Sequence, residues 1–385
     1  MFYASDGYGL GHVNICLAIM QAVARRQPEA LLLLVSGTPH AHTFVLPSNA
    51  DFLKLPAVAH AAQYAALPAA PDPETPLRGL WYLREALLLQ AALTFRPDVL
   101  HVDWWPAGQA GELRRVIPAL RAAKPDVLLV AGLPDMTDPG ELRSEWHTHD
   151  VRRLLDNLYD RVVIYGDATL YDPADDYALS AATRAKTSFS GYLRRSVELA
   201  QPSAVRARLG LGDEPFIVAT VGGGEDGARL LETWLAALHE PPLAGVASRI
   251  ISGPLLDRAD QDRLAALAVG LPHETVTPFM PDLSELLNAA DAVVAMGGYN
   301  TAVELVALRQ RAVLVPRVGQ GDEQLLRAQR FASRGLVRML HPDDLSPARL
   351  AAEARAALDA PRPTAGLDLS GADRLGELLA DGLRR

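Results

Sequence analysis

The sequence predicts an α/β protein made of two Rossmann-like, doubly wound domains facing a central crevice. Two observations predict this class. Short apolar runs bounded by Gly, Pro or Asp alternate with longer segments of helical period, the pattern of parallel strands joined by crossover helices. The alternation runs through the chain twice, and 385 residues suffice for two separate cores.

Taken in order, Phe2–Ser5, Leu31–Val35, Val99–Val102, Val127–Ala131 and Val162–Tyr165 read as the strands of the first half. His12–Arg25, Leu77–Phe95, Gly111–Ala123 and Arg143–Tyr159 have the period of its helices. Residues Val58–Pro76, rich in Ala, Pro and Asp, read as a surface loop. After residue 190 the chain carries Gln201-Pro202, Gly210 and Gly212-Asp213-Glu214-Pro215, so 191–215 is expected to connect two domains, 1–190 and 216–362. The second series has strands at Phe216–Val221, Ser248–Ser252, Glu274–Thr277, Ala292–Ala295 and Ala312–Val315. Its helices fall near Gly227–Leu238, Gln261–Ala268, Leu283–Ala289, Thr301–Leu308 and Asp322–Arg334. In the tail, 363–385, Ser370 is a candidate N-cap for a helix over Ala372–Leu383, expected to pack back on the N-terminal domain.

Composition removes several function classes. Thirty-seven basic against forty-six acidic residues give a formal charge of −9, the opposite of a nucleic-acid footprint. With Cys16 as its one cysteine, the chain has neither a disulfide framework nor a thiolate metal cage, which suits a reducing cytoplasm. No apolar run reaches the roughly 18–20 residues of a membrane span, and the start lacks the basic and apolar regions of a signal peptide. A cytoplasmic location is expected, with peripheral membrane contact left open. The chain starts within its first strand, which leaves room for residues upstream.

Three strand-to-helix turns carry the polar chemistry. The first is Asp6-Gly7-Tyr8-Gly9-Leu10-Gly11-His12, whose glycines allow tight turning and whose amides at the helix start receive an anion. It departs from the dinucleotide fingerprint, which needs G-x-G-x-x-G and an acidic residue closing the second strand, where this chain has Ser36-Gly37. At its end, the His12 imidazole is placed to take a proton from a hydroxyl; on local pattern alone, an ordinary polar helix start is equally open. The second turn, Gly222-Gly223-Gly224-Glu225-Asp226-Gly227, lacks the Lys-Ser/Thr ending of a P-loop; it offers amides to a diphosphate, and on local pattern a simple tight βα turn is equally open. The third is the most specific. Met296-Gly297-Gly298-Tyr299-Asn300-Thr301 leads to Glu304, then to Val315-Pro316-Arg317 and Asp322-Glu323-Gln324. It combines helix-start amides for phosphate, a carboxylate for ribose hydroxyls and an acid–amide pair for further hydroxyls.

Together these motifs resemble glycosyltransferases of the GT-B fold, in particular the bacterial family 28 group. That group includes the enzyme adding N-acetylglucosamine to the lipid-linked muramyl precursor of peptidoglycan. A less characterised group of predicted bacterial glycosyltransferases is similar through Asp98…Val102-Asp103…Pro106-Ala107-Gly108, Gly132-Leu133-Pro134-Asp135, Tyr165-Gly166-Asp167 and Ser190-Gly191-Tyr192. The likeness covers nearly the whole chain and is strongest over Val276–Leu336. It implies an acceptor site in the first domain, a nucleotide-sugar site in the second, and no essential metal or other cofactor. Carried over by position, Gly9, Gly11 and His12 meet the donor phosphate and acceptor hydroxyl. Gly223 and Gly224 approach the diphosphate, and Phe279 and Met280 border the base. Gly298, Asn300 and Thr301 hold phosphate, Glu304 holds ribose, Glu323 and Gln324 hold the transferred sugar, and Arg194 reaches the diphosphate. Two departures stand out: Val13-Asn14-Ile15-Cys16 replaces the arginines that often follow the loop histidine, and Pro134 stands where an arginine is common.

The expected chemistry is a single inverting displacement. His12 deprotonates an acceptor hydroxyl, Asp103 orients His12, and glycine-turn amides and helix dipoles take the leaving charge. The donor base leans toward UDP through Gln324 and the family likeness. Acceptors in view are a small molecule, a natural product or a lipid-linked sugar, recognised by Val58–Pro76 and Trp104–Gly108. The alternatives are a nucleotide-sugar epimerase or hydrolase of the same fold, or a non-catalytic nucleotide-sugar-binding protein. Of the remaining clusters, His147 and His149 point to different faces of an expected helix, and Asp172, Asp175 and Asp176 read as a solvated turn. Trp104 and Trp105 are equally open to sugar stacking and core packing.

Overall fold

A computed structural model of the chain describes residues 1–5, 10–40, 44–57, 76–137, 146, 150–224, 226–269, 276–280, 283–319 and 321–384. The fold divides into two units, Met1–Arg195 with Asp368–Arg385, and Ser196–Leu367.

The N-terminal unit is built on seven parallel strands: β1 (Phe2–Ala4), β2 (Leu32–Ser36), β3 (Ala50–Lys54), β4 (Val99–Asp103), β5 (Leu128–Pro134), β6 (Arg161–Tyr165) and β7 (Thr187–Phe189). Their order is β3-β2-β1-β4-β5-β6-β7. Helices cover both faces, so the central strands are buried on both sides and mostly apolar, and every residue of β4 and β5 is buried. The order reverses between β1 and β4, and the C-terminal ends of such a strand pair are where ligands of doubly wound sheets bind. Phe2 pairs with His101 and Tyr3 with Val102, which sets Asp103 at the mouth of that reversal.

Strands β3 and β7 have no counterpart among the expected strands. Both are edge strands, with residues 50–54 and 187–189 partly exposed, so neither needs a continuous apolar run. The expected helix Gly111–Ala123 begins only at Val116, because Gly108 and Gly111 take φ of 72° and 76° and set a 3₁₀ turn, Gln109–Gly111, before it. Of the expected helix Arg143–Tyr159, residues 146 and 150–159 are described, and among them the helix Val151–Asn157 forms; His147 and His149 lie outside the described residues. Residues 58–75 of the expected loop also lie outside them, and Pro76 opens the helix Pro76–Phe95.

The C-terminal helix, Gly371–Gly382, belongs to this N-terminal unit. It lies against the helix Gly11–Arg26, and a Cβ on Gly376 would sit 2.6 Å from Ala22 Cβ, so glycine sets the closeness of the crossing. Tyr192 N–H donates to Asp368 O at 2.6 Å, and Arg25 pairs with Asp373 at 3.0 Å.

The C-terminal unit has six parallel strands: β8 (Phe216–Thr220), β9 (Ala247–Ile251), β10 (Val276–Thr277), β11 (Ala292–Ala295), β12 (Ala312–Leu314) and β13 (Arg338–Met339). Their order is β10-β9-β8-β11-β12-β13, so this sheet reverses between β8 and β11. Residues read as a free connection are partly structured. The helix Pro202–Arg208 packs on Leu283–Ala289, and Arg206 donates to Gly212 O at 2.8 Å and pairs with Asp291 at 3.1 Å. The division therefore falls between Arg195 and Ser196, not over a long linker. Strand β13 and the helix Pro347–Asp359, which Ser346 caps by accepting from Arg349 N–H, were not foreseen. Among the described residues, no helix is long and apolar enough to cross a membrane.

Candidate functional site

At the reversal of the N-terminal sheet, the helix Gly11–Arg26 is the first helix after β1, and β4 ends in Asp103. This brings His12 Nδ1 to 2.7 Å from Asp103 Oδ2, although the two residues are 91 apart in the chain. Asp103 is fully buried and the His12 side chain is 20% exposed, so the pair has one face toward solvent. An ionised carboxylate only accepts hydrogen bonds, so Nδ1 carries the proton and the lone pair sits on Nε2. Trp104 packs its ring edge-on to His12, centroids 4.8 Å apart at 77°. Its backbone is left-handed, with φ of 68°, held by a 2.9 Å bond from its N–H to Gly132 O. For a tryptophan that conformation is strained, and strain of this kind collects at functional sites. Trp105 instead packs partly buried against the core of the unit.

Behind the pair, His101 lies two residues before Asp103 on the same strand face and shares a 2.9 Å hydrogen bond with the Tyr165 hydroxyl. Burial pushes its pKa down to about 4 against the opposing pull of Asp103, so His101 is neutral at physiological pH. A Cβ on Gly132 would lie 1.6 Å from that hydroxyl, which explains the glycine within β5.

In the C-terminal unit, the ends of β8, β9, β11 and β12 converge. The turn after β8 contains Gly222 and Gly224 at φ of 66° and 102°. A Cβ on Gly224 would meet Ser252 O at 2.2 Å, and one on Gly253 would meet Gly223 O at 2.3 Å, so two backbones touch where any side chain would separate them. Gly224→Ala is expected to destabilise this unit by about 2–4 kcal/mol. Denaturant unfolding checks it, and a loss below about 1 kcal/mol would mean that the turn relaxes freely.

Gly298 caps the helix Tyr299–Ala307 with its backbone only, and has open space around it. Asn300, Thr301 and Glu304 are half-buried and fall on one helix face by their three- and four-residue spacing. A Cβ on Gly222 would sit 3.8 Å from Thr301 Oγ1, which places the turn after β8 beside that face. Glu323 opens the helix Glu323–Ser333, and Gln324 is buried beside Gly297, where a Cβ would lie 2.9 Å from Gln324 O. Gly223, Gly224, Gly298, Asn300, Thr301, Glu304, Glu323 and Gln324 are thus all placed at the strand ends of one sheet.

The other expected site residues are placed as follows. Gly9 lies outside the described residues, and Gly11 is the first residue of the His12 helix. Phe279 is an exposed aromatic just past β10, followed by half-buried Met280. Arg194 is half-buried at the end of the N-terminal unit. Asp172 and Asp176 make turn contacts with Ala174 N–H and Tyr171, and Asp175 is solvated. Two features were missed: the edge contact of Trp104 with His12, and the ion pairs of Arg317 with Asp226 at 3.2 Å and Glu323 at 2.6 Å. The second had a partial signal, since Arg317 ends the Val-Pro-Arg segment, but Asp226 is 91 residues away.

Comparison with known proteins agrees with this geometry. Residues 218–364 match the glycosyltransferase family 28 C-terminal domain. A UDP-N-acetylglucosamine--N-acetylmuramyl-(pentapeptide) pyrophosphoryl-undecaprenol N-acetylglucosamine transferase of Desulforudis audaxviator is 27% identical, over 94% of this chain and 91% of its own. Among solved structures, the calicheamicin glycosyltransferase CalG4 superposes with a TM-score of 0.60 at 18% identity, covering 100% of this chain and 94% of that one. MurG of Acinetobacter baumannii gives 0.56 at 14%, covering 99% and 98%. At such identities the solved structures speak for the fold alone. The chain is a glycosyltransferase of the GT-B fold, taking its sugar from a nucleotide sugar. Within that class it is family 28-like, and its C-terminal unit carries the domain of that family.

Proposed function

We propose that the chain moves a sugar from a nucleoside-diphosphate sugar, a UDP-sugar above others, to an acceptor hydroxyl by an inverting, metal-independent displacement. The observation that carries this reading is the 2.7 Å contact between His12 Nδ1 and the buried Asp103 carboxylate. With Nδ1 protonated, Nε2 takes the acceptor proton as the hydroxyl oxygen bonds to the anomeric carbon and the bond to the diphosphate breaks. One displacement inverts the configuration. Charge on the leaving diphosphate is received by the amides that open the helix Tyr299–Ala307 and by the glycine turn after β8, the role a cation plays elsewhere. Glu304 is assigned to ribose, and Glu323 and Gln324 to sugar hydroxyls. Both the UDP donor and a lipid-linked acceptor are favoured by the named activity of the Desulforudis audaxviator relative. A lipid-linked acceptor implies peripheral contact with a membrane, and a single cysteine, the buried Cys16, suits a cytoplasmic setting.

Thermal unfolding with UDP, GDP, dTDP, their sugar conjugates and NAD as control tests the donor site. One nucleoside diphosphate is expected to raise the melting temperature, by the equivalent of about 2.7 kcal/mol at a hundredfold excess over Kd. The shift persists in EDTA and is lost in Glu304→Ala. Silence toward every nucleotide from a folded chain would sink the donor site, and loss of the shift in EDTA would sink metal independence.

A further inference from the structure

Arg317 follows Val315-Pro316 at the end of β12 and joins three separate pieces of chain. Its Nη2 donates to Glu323 Oε1 at 2.6 Å, its Nη1 to Asp226 Oδ2 at 3.2 Å, and its backbone N–H to Gln324 Oε1 at 3.2 Å. Asp226 belongs to the segment after the β8 glycine turn, and Glu323 and Gln324 form the first turn of the helix Glu323–Ser333. The helix is held from a second side, because Arg327 donates to Gly297 O at 3.0 Å and lies 5.5 Å over the Tyr299 ring. The side chains of Arg317, Asp226 and Glu323 are 26%, 30% and 18% exposed, so this bracket is reachable from solvent and not part of the core. Two carboxylates against one guanidinium leave it with one net negative charge.

We propose that Arg317 is a positioning and specificity-determining residue for the transferred sugar: it presets Glu323 and Gln324 for a neutral, hydroxyl-bearing sugar and leaves a bracket that rejects a sugar carrying a carboxylate. This rests on the donor-site reading above. A glutamate and a glutamine already fixed lose little rotamer freedom when they accept and donate hydrogen bonds to sugar hydroxyls. The planar guanidinium holds two carboxylates at once, which a lysine ammonium does not reproduce. A sugar carboxylate would meet Asp226 and Glu323 with the intervening guanidinium already shared between them, so like charges would be forced together.

Calorimetric titration of the full chain decides this, using the base selected by the screen above; for uridine the probes are UDP, UDP-N-acetylglucosamine and UDP-glucuronate. The wild-type chain is expected to bind the neutral sugar conjugate at least about tenfold tighter than the glucuronate. In Arg317→Met, affinity for UDP stays within about threefold while affinity for UDP-N-acetylglucosamine falls at least about tenfold. Asp226→Asn keeps the Arg317–Glu323 arm, so it retains the neutral conjugate within about threefold and narrows the gap to the glucuronate; this arm decides the matter if Arg317→Met does not fold. Equal losses for UDP and its sugar conjugate in Arg317→Met would overturn the proposal by making Arg317 a diphosphate ligand. So would unchanged sugar affinity in that variant, or a glucuronate bound as tightly as the neutral sugar. A folded wild-type chain that binds no nucleotide of any base overturns the donor-site reading itself, which is a different result.

Discussion

His12→Ala is expected to lower kcat/KM for sugar transfer by about 100- to 10,000-fold, the range lost when a positioned general base is removed. A hundredfold loss is about 2.7 kcal/mol of transition-state stabilisation, which one proton acceptor beside the attacking oxygen supplies. The geometry makes the loss specific. Asp103 holds Nδ1 at 2.7 Å and Trp104 abuts the ring from the side, so both tautomer and orientation are set before substrate arrives. Asp103→Asn tests that preset directly: an amide can donate to the ring as well as accept, so it favours the tautomer with the proton on Nε2 and should cost at least about tenfold. Initial rates of nucleoside diphosphate release in the presence of acceptor measure both variants. Turnover within about threefold of wild type in folded His12→Ala would remove His12 from the role of base.

The largest effect on stability is expected at Arg84. This arginine is 1% exposed, and it donates from Nε and Nη2 to the two Glu112 oxygens, both at 2.7 Å, and from Nη1 to Pro56 O at 2.6 Å. Glu112 also accepts from the Tyr3 hydroxyl, which in turn accepts from Gln109 N–H at 2.8 Å. Burial and the neighbouring Glu112 carboxylate push the Tyr3 hydroxyl well above its ordinary pKa, so it remains a donor at physiological pH. Arg84→Met strands a carboxylate that is fully buried, and Glu112→Leu strands the guanidinium. Each should cost about 3–5 kcal/mol, whereas the double replacement should cost much less than the sum, because no charge is then left buried alone. Chemical unfolding of the full chain reports all three. Single-variant losses below about 1 kcal/mol, or strict additivity, would mean that solvent reaches the pair. Because Gln109 lies in the segment that begins at Trp104, the network also ties β1 and the helix Pro76–Phe95 to the polypeptide flanking the His12 site.

How much was legible in the sequence differs between the two sites. The third motif kept its residues within 29 positions of one another, from Met296 to Gln324, and the structure places them at adjacent strand ends, as its strand–turn–helix punctuation implied. His12 was legible as a position, at the junction of a glycine loop and a helix. Its distance from Asp103 was not, because periodicity along a chain reports which residues share a face but not which strand ends become neighbours.

What the sequence determined by itself is therefore local: doubly apolar strands, helices between them, and glycines where backbone must turn or touch, as at Gly224 and Gly297. Tertiary structure alone decided the rest. The edge strands β3 and β7 exist because a central strand offers them a partner, and Thr187–Phe189 has too little apolar content to announce itself. The placement of the helix Gly371–Gly382 on Gly11–Arg26 follows from a close fit at Gly376 and Ala22, which no pattern in either helix encodes alone. The pairs His12–Asp103 and Arg317–Asp226 each span 91 residues. They form because parallel pairing fixes the order β1-β4 and β8-β11-β12, bringing strand ends together while the intervening chain is folded onto the faces of the sheets.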